Sequence, residues 1–377
     1  MHNSQKLGRA LRAFISPVLK HVTGGEAVRP LRPPGGSLVE KPPAERPPRV
    51  EKPRPKKLRL SLALQGGGSL GAFTWGVLDR LLEEEIGFDA VSGASAGAIN
   101  AVILASGLAR GGRPAARQAL AAFWKKASEA APAHAGSRAS SGLAFDLSTR
   151  VMSPYQFNPL DINPLRSLLG EVDFEALRAE PPLRLLIGAT RVSDGRLRVF
   201  REHQITRDVV LASACLPLLQ HAVSIDGEAY WDGGYAANPP LLPLVTASRA
   251  SDVMVVQIIP TEGEELPRTS PEIIRRLNQM TFNNSLLHDL DTLSSMMELA
   301  REQEGEGRLT RKLQRLRLHR VSAEDGVPDL RQMSAFNLDW EFLVDLRDAG
   351  RAAAEAWLSR QRGQAAAAQA RPPSPGS

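Results

Sequence analysis

The residues best placed to do chemistry surround one serine. Ser95 stands in Gly93-Ala94-Ser95-Ala96-Gly97, a Gly-x-Ser-x-Gly spacing that suits a nucleophile held on a tight strand-to-helix turn. The small flanking residues keep strand and helix clear of the hydroxyl. Such a serine would attack an acyl carbonyl, and the helix N-terminus beneath it favours the negative charge that then develops. The bare pattern is weak. Its setting strengthens it: apolar Ala90-Val91 precede it, and Ala98, Ile99, Ala101, Val102, Ile103 and Leu104 follow in a helix apolar on nearly every side.

A second group lies upstream, Gln65-Gly66-Gly67-Gly68-Ser69-Leu70-Gly71. Three consecutive glycines are entropically costly to order and so need a reason. The expected one is an anion cradle, in which the N–H groups of Gly66, Gly67 and Gly68 point unhindered at a negative oxygen. A nucleotide P-loop would place Lys and then Ser or Thr after the last glycine, where Ala72 and Phe73 stand. A dinucleotide fingerprint would need a ribose-binding acid at a spacing where none is evident.

The third group is Asp232-Gly233-Gly234, directly after Tyr230-Trp231. Asp-Gly-Gly is common in turns, but Asp226-Gly227 already supplies the hairpin turn here. Asp232 would accept the Ser95 proton directly, provided that partial burial raises its basicity. The competing arrangement is a Ser-His-Asp triad with His288 or His319 as base. His288 falls in a polar helical stretch, and His319 alternates with Arg317 and Arg320, so both read as surface histidines. His203 and His221 precede the acid and match no familiar triad order. Asp252 would orient a histidine or solvate a strand end.

Positioning these groups takes a strand over 58–64, the glycine loop, and a helix to about Glu85 with Phe73, Val77, Leu78, Leu81 and Leu82 at core spacing. A second strand, the serine turn and a helix to about Leu108 follow. Parallel strands joined in this way put both loops at the carboxyl edge of the sheet. Further along, the pattern predicts a helix over 114–126 and a loose stretch over 130–164, either a lid or a surface insertion. Strands over 183–189 and 197–200, a helix over 205–214 and a hairpin over 223–232 come next. A strand over 253–259, helices over 271–280 and 282–301, a last strand over 313–321 and a helix over 339–360 complete the body.

The chain has 377 residues, and its 42% apolar content suffices for a large core. The single cysteine, Cys215, excludes an internal disulfide framework and reads as a core residue. No apolar run reaches the roughly 20 residues of a membrane span. Neither an uninterrupted apolar leader nor a cleavage site opens the chain, so a cytoplasmic protein is expected. Residues 1–57 hold thirteen Lys and Arg against four Asp and Glu, +9, which leaves −3 for the rest of a chain of net charge +6. Within them, 1–23 reads as a basic amphipathic helix with Leu7, Leu11, Phe14, Val18 and Val22 on one side, and 24–57 as a Pro/Arg/Lys-rich disordered linker. An anionic membrane surface is the expected partner of this tail. Nucleic acid is not expected, because no aromatic is interleaved with the charge. A catalytic domain would occupy 58–360 and a disordered tail 361–377.

The glycine loop, the serine turn and Asp-Gly-Gly, in that order over about 58–247, resemble the patatin-like phospholipase family. Ala212-Ser213-Ala214-Cys215-Leu216-Pro217 and Asn238-Pro239 are also similar to it, and residues 338–358 resemble its bacterial members. The resemblance implies an α/β fold of three layers, α/β/α, with a mostly parallel central sheet and a serine nucleophile elbow. It implies a phospholipase A, lysophospholipase or lipase-like esterase acting on lipid esters without metal or other cofactor. Ser95 would be the nucleophile and Asp232 the general base. Gly66, Gly67 and Gly68 would form the oxyanion hole, with Gly71, Gly93, Gly97, Gly233 and Gly234 as motif glycines. One departure stands at Leu70, where many members carry Arg or Lys; without that cation, neutral esters gain over phospholipids. The alternatives are a His-dependent esterase of the α/β-hydrolase type and an inactive protein that binds membranes or partners.

Overall fold

A computed structural model describes residues 58–130, 152–261, 266–302 and 307–370. The expectations for residues 1–57, for 131–151 within the loose stretch and for 371–377 lie outside the described residues.

Along β1 (Arg59–Leu64), Leu60, Leu62 and Leu64 alternate with Ser61 and Ala63, and all five are buried. A period of two sends the leucines to one face of the sheet and the small residues to the other. After the glycine loop, α1 (Gly71–Leu81) returns the chain to β2 (Gly87–Gly93), parallel to β1. The serine turn then leads into α2 (Ala96–Glu129), which is broken at Gly111 and Gly112; its second half, from Pro114, is the helix expected over 114–126. Three short helices, α3 (Pro154–Phe157), α4 (Pro164–Leu168) and α5 (Phe174–Ala179), precede β3 (Arg184–Arg191) and β4 (Leu197–Arg201).

Next come α6 (Arg207–Ser213), the hairpin β5 (Val223–Ile225) and β6 (Glu228–Asp232), α7 (Leu241–Ala247) and β7 (Asp252–Gln257). The chain continues through α8 (Ser270–Glu302), α9 (Arg308–Arg315), β8 (Arg317–Ser322) and α10 (Trp340–Ala370). Strand pairing connects β5-β6-β3-β2-β1-β7-β8, with β4 on the other edge of β3 from β2 and β6. β3, β2, β1, β7 and β8 are mutually parallel, and β4, β5 and β6 supply the antiparallel pairs.

Two apolar clusters lie on opposite faces of this sheet. The leucines of β1, with Val91, Leu185, Ile187, Met254 and Val256, pack against α1, α2, α6 and α10. The opposite face presents Ala63, Ala90, Leu186, Val253 and Val255 to α7, α8 and α9. The fold is therefore three layers, α/β/α, around a mostly parallel sheet.

Three elements differ from expectation. Leu313 belongs to a helix, and the last strand begins only at Arg317. Leu309, Leu313 and Leu316 recur at the helical spacing of four and three, and Leu313 and Leu316 are buried under the sheet. The two helices expected over 271–301 are one, since no breaker separates them. The last helix runs past Arg360 through an alanine run, a strong helix former, to Ala370.

Candidate active site

The turn after β2 holds Ser95 at φ 53° and ψ −127°, a backbone state that costs a non-glycine residue about 1–3 kcal/mol. Packing enforces it. A Cβ on Gly97 would collide with the Leu64 carbonyl, and one on Gly93 with the Gly97 backbone, so the two glycines let strand and helix meet at the turn. The Ser95 N–H donates to the Ser213 carbonyl at 3.0 Å and to Ser213 Oγ at 3.2 Å, and Ser213 Oγ in turn donates to the Gly188 carbonyl at 2.6 Å. The Ser95 side chain does not cap α2, and it stays partly exposed where its neighbours are buried.

Sheet pairing brings Asp232 to this serine. β3 pairs with β2 through residues 184–187 and with β6 through 189–191, while β4 pairs through 186–190. A strand has two hydrogen-bonding edges, and the β4 run overlaps both others. β2 and β6 therefore share the opposite edge of β3, end to end. Asp232, the last residue of β6, pairs with Ala189, two residues beyond the Ile187 that pairs with Gly93. It therefore arrives level with the serine turn. Gly233 seals the junction, since a Cβ there would strike the Gly188 carbonyl and stand 3.1 Å from Ala94 Cβ.

The Asp232 side chain is wholly buried. Its Oδ1 accepts the Gly234 N–H at 2.7 Å, its own N–H donates to the Cys215 carbonyl at 2.8 Å, and its carbonyl accepts from Thr190 Oγ1 at 2.7 Å. Burial pushes the carboxyl up to about 7; the Ser95 hydroxyl and the Gly234 N–H act the other way by donating to its charged form. Oδ2 is buried with no partner at ordinary hydrogen-bond geometry. The Ser95 hydroxyl acts on this carboxylate without completing an ordinary hydrogen bond to it.

The glycine loop lies against the same turn: a Cβ on Gly66 would stand 2.6 Å from Ser95 Cβ. Gly66 corrects one expectation, because its N–H is not free to meet an oxyanion. It donates to Asn238 Oδ1 at 2.7 Å, and Asn238 Nδ2 donates to the Gly66 and Phe282 carbonyls at 3.1 Å each. Gly67 and Gly68 are more exposed than Gly66, and Gly68 takes φ +58°, left-handed backbone that favours glycine. Below the loop, Gln65 Oε1 accepts the N–H groups of Ile258 and Ile259 at 2.8 and 2.9 Å, and Gln65 Nε2 donates to Asn283 Oδ1 at 2.7 Å. Gly71 lets α1 pack on Ala96 and Trp124, and Gly234 lies under the Phe282 ring.

The other candidates lie elsewhere. His319 is in strand register with Met254, Leu62 and Val91, three strand spacings or about 14 Å across the sheet from β2. Its Nε2 meets Asp252 Oδ1 at 2.8 Å. Burial works against the Asp252 charge, but hydrogen bonds from Arg317 and His319 outweigh it and hold the carboxyl below its ordinary value. His288 is exposed on α8. Cys215 is buried, and burial with the nearby Asp232 charge pushes its thiol up to about 12, which leaves it inert. Leu70 is buried in the larger core cluster, so no cation occupies that position. Sequence reasoning missed the supporting roles of Gln65, Ser213, Asn238 and Asn283. Gln65, Ser213 and Asn238 stand within the motifs of the sequence, but nothing local tells which backbone groups a buried amide or hydroxyl will meet.

A strained serine on a strand-to-helix turn, a buried carboxylate beside it and a glycine loop against the same turn define an α/β/α protein with a serine-centred site. Residues 62–245 match the family described as Patatin-like phospholipase, so the chain carries a domain of that kind over those residues. That domain match supports a lipid acyl hydrolase in general terms. Among solved structures it is similar to VipD from Legionella pneumophila, 14% identical over 78% of this chain and 67% of that one, with a TM-score of 0.33. It is also similar to a chain of the complex of full-length SpcU with full-length ExoU from the type III secretion system of Pseudomonas aeruginosa, 17% identical over 82% and 78%, TM-score 0.28. At these scores the likeness assigns no residue a role. No curated protein matches the chain.

Proposed function

We propose that this chain hydrolyses lipid acyl esters with Ser95 as nucleophile and Asp232 as the base that serves it directly. The observation that carries this reading is the buried Asp232 carboxyl, raised to about 7 and interacting with the Ser95 hydroxyl. A general base works best with a pKa near the working pH. Ser95 Oγ attacks the acyl carbonyl carbon as its proton passes to Asp232. The N–H groups of Gly67 and Gly68 hold the resulting oxyanion. Collapse breaks the ester bond, and the departing alcohol oxygen takes the proton from Asp232. Water then attacks the acyl-Ser95 ester and gives a proton to Asp232, which returns it to Ser95 as the fatty acid leaves.

A fluorophosphonate probe tests this assignment. It should label the wild-type chain at Ser95 and leave Ser95→Ala unlabelled. His319→Gln and His288→Gln should label and turn over ester as the wild type does. A His variant as inactive as Ser95→Ala would replace this reading with a His-dependent triad, and an unlabelled wild type would mean an inactive body.

A further inference from the structure

Asp232, Gly233 and Gly234 are buried, and Tyr235, the next residue, is 42% exposed. The single turn Gly233–Tyr235 folds back on the carboxylate, since the Gly234 N–H donates to Asp232 Oδ1. A Cβ on Gly234 would stand 2.4 Å from the Phe282 ring and 3.0 Å from Asp232 Oδ1, so ring and carboxylate flank the same glycine. The Tyr235 ring lies 5.0 Å from that of the half-buried Phe282, tilted by 56°. The two rings form an aromatic wall that rises from the buried carboxylate to solvent. The Tyr235 hydroxyl has no hydrogen-bond partner among the described residues. Burial first, and then the Asp232 charge, push it up to about 12, so it stays a donor and lies within the field of that carboxylate. A tyrosine that served only to pack would bury its ring and pair its hydroxyl. Tyr235 does neither.

We propose that Tyr235 is a specificity-determining residue that binds the alcohol half of the ester, its ring against the alcohol's carbons and its hydroxyl donating to a further oxygen of that alcohol. The inference rests on the acyl-hydrolase reading above, and the path of the proton selects which half of the substrate Tyr235 meets. Asp232 returns its proton to the departing alcohol oxygen, so the alcohol must lie against the carboxylate while Ser95 is acylated. The carbonyl oxygen is taken up instead by Gly67 and Gly68. The wall that flanks Asp232 is the pair Tyr235 and Phe282. An alcohol of hydrocarbon alone would satisfy the rings and leave the desolvated hydroxyl unpaired. A polyol such as glycerol meets both, and a site built around a hydrogen bond to such an oxygen discriminates against the analogue that lacks it.

Turnover of glycerol monobutyrate, methyl butyrate and methyl hexanoate by the full chain tests the proposal. The first two esters share an acyl chain, and the last two share an alcohol. Tyr235→Phe keeps the ring and deletes the hydroxyl. It should lower the ratio of kcat/KM for glycerol monobutyrate over methyl butyrate by about threefold or more, the loss of one hydrogen bond between neutral groups. Its ratio for methyl hexanoate over methyl butyrate should equal that of the wild type. Both readouts are ratios within one preparation, so neither depends on how much of the variant is folded. A smaller change in the alcohol ratio overturns the proposal, because the hydroxyl then meets no part of the alcohol. A shifted acyl ratio also overturns it, because Tyr235 would then lie along the acyl chain. A wild type that turns over none of the three esters strikes the acyl-hydrolase reading itself, and this proposal falls with it.

Discussion

Asp232 sets a cost against a function. A carboxyl raised from 3.8 to about 7 binds its proton more tightly in the folded chain than in the unfolded one. Any stability linked to that proton is complete below pH 4 and is lost as pH rises through about 7, because the buried group must then ionise without water. The loss is on the order of 4 kcal/mol at about 1.4 kcal/mol per pKa unit. Asp232→Asn keeps the shape and removes the charge. It is expected to abolish ester turnover and yet melt at a higher temperature than the wild type, with the gap widening from pH 4 to pH 8 in thermal denaturation. Only the ionised carboxylate can take the Ser95 proton, so wild-type kcat/KM should fall about tenfold per pH unit below about pH 7. A profile flat to pH 5, or an Asn variant that melts lower at pH 8, would remove Asp232 from the role of base.

Between elements, the glycine loop is held by side chains from elsewhere in the chain. Asn238 closes both the N–H and the carbonyl of Gly66 and reaches the Phe282 carbonyl of α8, while its own N–H donates to Ser285 Oγ at 3.0 Å. These bonds fix the Gly66 peptide, and that peptide sets where the Gly67 and Gly68 amides point. Asn238 is a positioning residue in this account. Replacing it with Ala strands buried polar partners, which costs about 1–3 kcal/mol of stability. The diagnostic readout is kinetic. A misaimed oxyanion donor weakens the transition state more than the bound substrate, so kcat should drop about tenfold or more with KM little changed. A merely structural role would lower the melting temperature and leave kcat per folded molecule intact.

At the scale of the molecule, positive charge and chemistry are separated along the chain. Residues 1–57 carry +9 and the remainder −3, while every proposed site residue lies after the first strand. Removing residues 1–57 is expected to weaken co-sedimentation with anionic vesicles at low salt and to leave turnover of a soluble ester nearly unchanged. Each Lys or Arg near such a surface contributes about 1 kcal/mol, and salt screens it. Equal sedimentation of full and truncated chains would deny the tail this role, and lost soluble-ester turnover would mean that it supports the catalytic body. The body is joined across its helices by ion pairs. Asp79 of α1 and Glu83 in the turn after it meet Arg117 of α2 and Arg351 of α10, and Gly76 and Gly350 bring α1 and α10 into backbone contact.

Local order was legible in the sequence because local spacing encodes local backbone. Glycines at 93 and 97 permit the serine turn whatever surrounds it, the residues of 58–64 specify a short strand, and Phe73, Val77 and Leu81 repeat at helical period. The chemical types at Ser95, Asp232 and the glycine loop could therefore be read directly. Their relation in space could not. Asp232 reaches Ser95 only because β2 and β6 share one edge of β3, a pairing no local pattern records. Its basicity comes from burial by the whole fold, and Gly66 loses its free N–H to an asparagine far along the chain. His319 is claimed by Asp252 across neighbouring strands. The leucines of 309–316 and of α8 show the same limit from the other side. Periodicity finds an apolar face, but only tertiary packing decides which face is buried.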